Sequence, residues 1–103
     1  CIINVECDWR VVADGRIMLA AGDHDQLFGL QEPVDAVKEL DRLLKGKAIV
    51  EASFSEMGDL RLIFEDGARV ETFANSCGYE SCTVWLPGGG QLIVVGGGEV
   101  VRF

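Results

Sequence analysis

The sequence predicts an α+β domain: a curved, mainly antiparallel sheet, or a partly closed roll, of about seven or eight strands with one helix packed on it. Three observations predict this. Short runs rich in Val, Ile, Leu and Phe recur between Asp-Gly and Gly-rich turn signals. Only one segment repeats its apolar residues at helical spacing. The 103 residues, about half of them hydrophobic, suffice for one core and hence a single domain, 1–103.

Strands are expected near Ile2–Glu6, Trp9–Ala13 and Arg16–Ala20. Asp14-Gly15 joins the last two as a two-residue hairpin turn, because both residue types tolerate positive φ. The helix is expected from Pro33 to Lys45. Pro33 suits the first helical position, and Val34, Val37, Leu40, Leu43 and Leu44 form one apolar stripe. Gly46 can take the left-handed conformation that ends it.

A strand near Lys47–Ser55 follows, then a hairpin of Leu60–Glu65 and Arg69–Ala74. A two-residue loop would pair Leu62 with Glu71 and put a carboxylate on the apolar face. A three-residue loop, Asp66-Gly67-Ala68 with Gly67 left-handed, pairs Leu62 with Thr72 and Phe64 with Val70. It also sets Glu65 against Arg69. That register is preferred because a one-residue slip reverses every side chain. Ser81–Leu86, Gln91–Val95 and Glu99–Phe103 complete a meander whose turns are Pro87 with Gly88-Gly89-Gly90, and Gly96-Gly97-Gly98. The last strand is a candidate edge that either packs internally or pairs across a homodimer.

Composition narrows the partners. Seventeen acidic against nine basic residues give a formal net charge of −8, which repels phosphate backbones and disfavours nucleic acid. It attracts basic protein partners and also keeps a small protein in solution. No apolar stretch approaches the ~20 residues of a membrane helix, and the opening residues lack a signal-peptide pattern. The expectation is a cytoplasmic protein, monomeric or homodimeric, without cofactors.

Cys1, Cys7, Cys77 and Cys82 are spaced C-x5-C and C-x4-C, unlike the C-x2-C knuckles of structural zinc sites. Free thiols, some buried as small hydrophobes, are the favoured reading. The single histidine, His24, lies between Asp23 and Asp25 in what reads as a polar turn before the helix. A Cys77–His24 or Cys82–His24 pair is the only nucleophile–base combination on offer, and it ranks last. Asp23, Asp25 and Glu32 do not match a calcium loop. The glycine triplets do not match phosphate-binding loops, and no serine sits in a nucleophile elbow. No catalytic or metal-binding residue is assigned.

Cys77–Trp85 is the most individual segment. Tyr79, Glu80 and Trp85, with Trp9, are the candidate binding residues, since aromatics of this kind are enriched where interfaces are anchored. Packing in the core or at its boundary is the competing role for the aromatics.

Leu60–Gly67, Phe73, Tyr79-Glu80-Ser81 and the late glycines resemble an uncharacterised family of small bacterial proteins with a domain of unknown function. Cys82 stands where that family often has Trp. The resemblance implies a small bacterial α+β protein and no established activity.

The expected function is a non-enzymatic acidic binding module, for example of immunity type, recognising a basic protein partner. Glu56, Asp59, Glu71 and Glu80 are the acidic residues expected at its interface. The alternative is a small-molecule-binding domain with an apolar pocket between sheet and helix, lined by Trp9, Phe54, Tyr79 and Trp85.

Overall fold

The computed structural model describes residues 2–103. Among them are β1 (Ile2–Val5), β2 (Asp8–Ala13), β3 (Arg16–Ala20), α1 (Ala36–Leu44), β4 (Ile49–Phe54), β5 (Leu60–Phe64), β6 (Arg69–Phe73), β7 (Cys82–Trp85), β8 (Gln91–Val94) and β9 (Val100–Arg102). The α+β class and its single α-helix agree with the sequence reading. The sheet does not.

In place of one curved sheet or roll of about seven or eight strands, the described residues form nine strands in two open sheets. These are ordered β3-β2-β6-β5-β4 and β1-β7-β8-β9, and all their pairings are antiparallel. The chain changes sheet twice, at Glu6-Cys7 and between β6 and β7. Neither crossing carries a hydrophobic signature of its own, so the pattern of alternation did not reveal the split.

The sheets face one another through Leu60, Leu62 and Phe64 of β5, joined by Cys82 and Val84 of β7 and Val94 of β8. This is sandwich packing, in which the inner faces of two sheets interdigitate. The helix covers another part of the five-stranded sheet. Leu43 packs on Val11 and Leu19, with Trp9, Leu40, Leu44 and Val70 around them.

The helix begins at Ala36, not Pro33, because Asp35 is its N-cap. One Asp35 carboxylate oxygen accepts from Val37 N at 3.1 Å and Lys38 N at 3.2 Å, satisfying two N–H groups that the helix leaves free. Val37 is 74% exposed and does not belong to the buried stripe. Gly46 ends the helix as expected, with φ +76°.

The Asp14-Gly15 hairpin closes as expected between Ala13 and Arg16, with φ 53° and 71° at its two turn residues. The β5–β6 loop has three residues, as expected, but it is Glu65-Asp66-Gly67. Leu62 therefore pairs with Val70, and Ile63, not Glu65, faces Arg69. Asp66 decides this: its Oδ1 accepts from Ala68 N at 3.0 Å, tightening the turn one residue early. The displacement is two places in pairing, so Leu60, Leu62, Phe64 and Thr72 still share the buried face.

The same device recurs in the hairpins β4–β5, β7–β8 and β8–β9. In each, a three-residue loop ends on a left-handed glycine, here Gly58, Gly89 and Gly98. In each, that glycine N–H donates to the residue before the loop, at 3.0–3.2 Å.

Candidate functional site

The four-stranded sheet has two unlike faces. Ile3, Val5, Cys82, Val84, Leu92 and Val100 point into the core. The alternation of strands puts Ile2, Thr83, Trp85, Gln91, Ile93, Val101 and Phe103 on the other side. Ile2 is 68% exposed, Phe103 67% and Trp85 38%. Trp85, Ile93, Gln91 and Phe103 line a shallow groove there.

Pairing continues past the strand ends through Glu6 N to Ser81 O and Val95 N to Glu99 O, both 2.9 Å. Glu6 and Glu99 consequently stand on the outer face too, at its far end. Asn4 Nδ2 donates to Glu6 Oε1 at 3.2 Å along that face. None of its twelve positions, residues 2, 4, 6, 81, 83, 85, 91, 93, 95, 99, 101 and 103, is Lys or Arg. In a chain of net charge −8, this face mixes six apolar residues with Asn4, Ser81, Thr83 and Gln91, and carries carboxylates at one margin.

Loops close that margin. A Cβ on Gly98 would strike the Met57 backbone, and one on Gly96 would come 2.7 Å from Cys77 O, so the β4–β5, β8–β9 and β6–β7 loops are stacked. Gly97 N donates to Ser76 O at 2.8 Å, and Ser76 Oγ accepts from Gly78 N at 3.1 Å and Tyr79 N at 2.9 Å. The backbone of this loop is thus pinned while the Tyr79 side chain is 82% exposed. Glu56, Met57 and Glu80 are exposed on the same cluster.

Of the sequence-predicted residues, Tyr79, Glu80 and Trp85 therefore belong to one sheet and its loops. Trp9 does not. It pairs with Thr72 on the inner face of the other sheet and borders an apolar cleft beneath the helix. Phe54, Tyr79 and Trp85, expected beside it, lie elsewhere. Two expected interface carboxylates are engaged within the fold. Asp59 Oδ1 accepts from Ala74 N at 2.7 Å. Glu71 accepts from Arg10 Nε at 3.0 Å and lies 3.4 Å from Arg69 Nε. Burial acts to raise the Glu71 carboxyl, but the Arg10 and Arg69 guanidiniums outweigh it and hold it below the usual carboxylate range.

His24 Nδ1 accepts from Ala36 N at 3.1 Å, helping to seat the helix start, and its Nε2 lies 3.6 Å from Asp25 Oδ2. Cys7, Cys77 and Cys82 are free thiols; Cys1 lies outside the described residues. Burial pushes the Cys82 thiol up to about 11, with the neighbouring Cys7 adding to the rise. Burial raises Cys7 as well, against hydrogen bonds from Phe73, its own backbone and Thr72. Both are poor nucleophiles, since the thiolate is the reactive form. Among the described residues no three His, Cys, Asp or Glu side chains gather as a metal site, and no helix is long and apolar enough to cross a membrane.

Sequence reasoning missed Ile2 and Ile93 as a surface and offered Val101 and Phe103 only within an edge strand that either packs internally or pairs across a homodimer. The signal was present in Leu92-Ile93-Val94 and Val100-Val101, which are apolar on both sides of the strand. An antiparallel strand with one solvated face alternates instead. Comparison with protein-family models, with curated proteins and with solved structures finds no match to this chain.

Proposed function

We propose that the protein is a non-enzymatic binding module whose four-stranded sheet receives a basic protein partner on its outer face. The observation that carries this reading is the pairing of apolar side chains, exposed at Ile2, Trp85 and Phe103 and half-buried at Ile93 and Val101, with the carboxylates Glu6, Glu80 and Glu99 at one end. An apolar patch rimmed by charge is the ordinary anatomy of an interface. Carboxylates at the rim steer a basic partner and orient it, while desolvated Trp and Phe supply most of the affinity. The specific form of this reading is an immunity-type role in a bacterial cytoplasm, where a small acidic chain occludes a basic toxin domain.

The test is a titration of the captured basic partner by calorimetry at several ionic strengths. Association should weaken as salt rises. Trp85→Ala should weaken binding more than tenfold, in line with a hot spot of about 2 kcal/mol. Glu80→Lys should slow association. Arg61→Ala, on the outer face of the other sheet, should change nothing. Salt-independent binding, or binding indifferent to Trp85→Ala in a variant that still folds, would refute the proposal.

A further inference from the structure

The cleft that Trp9 borders is a second, separate feature. It has a volume of about 320 Å³ and lies where the helix, the five-stranded sheet and β1 meet. Leu60, Leu62 and Val70 form its floor, Leu40 and Leu44 of α1 one wall, and Ile3 and Val5 of β1 another. Among the described residues, no ionisable side chain lines it. Its one hydroxyl among the described residues, on Thr72, is already engaged: Oγ1 accepts from Leu60 N at 2.9 Å.

From this geometry we infer that the cleft is a binding site for an uncharged, apolar small molecule, of the size of a bicyclic aromatic or a medium-length aliphatic chain. Charge is excluded because a carboxylate or ammonium placed there would lose its hydration and find no partner. A peptide is excluded for the same reason: its backbone N–H and C=O groups would go unpaired against apolar walls. The size follows from the volume, which stands at the lower end of the ~300–1,000 Å³ typical of ligand sites. It is about twice the ~150 Å³ apolar cavity known to hold benzene. The indole of Trp9 offers a flat apolar surface at the edge of the site and reports on its occupancy. This inference concerns a different surface from the outer face of the four-stranded sheet and stands or falls without it.

The experiment uses naphthalene, 1-octanol and 2-naphthoate as probes, and Trp85→Phe to leave Trp9 as the sole tryptophan. Naphthalene and 1-octanol should produce saturable changes in Trp9 fluorescence, and 2-naphthoate should bind at least tenfold more weakly than naphthalene. In the unsubstituted protein, methyl resonances of Leu40, Leu44 and Leu62 should shift with naphthalene. Val70→Phe, which fills the cleft, should abolish both responses. Should that variant fail to fold, Leu44→Phe fills the site from the helix side and the methyl shifts stand independently. No saturable response, equal binding of 2-naphthoate, or shifts confined to Ile93 and Val101 would overturn the inference.

Discussion

Gly98 and Gly67 make a matched pair for testing whether the stacked loops are held by contact or merely lie close. Each closes a three-residue hairpin loop in the left-handed region, with φ +92° and +87°. Alanine at either site costs the left-handed penalty of about 1–2 kcal/mol. A Cβ on Gly67 meets nothing within 4 Å, so that penalty is its whole cost. A Cβ on Gly98 strikes the Met57 carbonyl, which is backbone and cannot rotate away. Overpacking of this kind adds about 1–3 kcal/mol, so Gly98→Ala should lose about 2–5 kcal/mol in all. That is a large part of the 5–15 kcal/mol by which domains are commonly stable. The assay is equilibrium urea unfolding followed by circular dichroism, with the two variants compared at unchanged slope. Equal losses for Gly67→Ala and Gly98→Ala would refute the reasoning. The loop bearing Tyr79 would then have to be held in place without the β4–β5 and β8–β9 tips.

Other outcomes follow from single contacts. Glu71 has a folded-state pKa below its unfolded value, so its ion pairs stabilise the fold above the ordinary carboxylate range and lose that contribution as pH falls through the lowered value. Glu71→Gln should therefore flatten the acid limb of the melting temperature against pH; an unchanged limb would dismiss the pairing. Asp35→Ala removes the helix cap and should cost about 1 kcal/mol, whereas Asp41→Ala on the same helix should cost less; the comparison is read by thermal denaturation. Cys82, only 2% exposed and with its thiol near 11, should react with a disulfide reagent at neutral pH only when the protein unfolds. Exposed Cys77 should react at once, and peptide mass mapping distinguishes the two.

Local features proved legible wherever adjacent residues decide them. Asp14-Gly15 forms its turn because both residues accept positive φ, and Gly46 ends the helix for the same reason. The face shared by Leu60, Leu62, Phe64 and Thr72 follows from alternation alone and survived an error in register, since a shift of two places preserves the face. The helix start was misplaced because Pro33 and Asp35 are both good opening residues, and the side-chain hydrogen bonds of Asp35 settle which one serves. Tyr79, Glu80 and Trp85 could be singled out as a segment, but their common surface needed residues 2, 93, 101 and 103, which lie far from them in the chain.

Strand propensity, the single amphipathic helix and the acidic balance were determined by the sequence itself, because each depends on residue type or on spacing within a few positions. The division into two sheets, the placing of Trp9 beside a cleft and the capture of Glu71 by Arg10 and Arg69 were decided only in three dimensions. Each of these depends on which distant segments meet. Pairing between such segments is selected by the free energy of the assembled core, which no local stretch of chain contains.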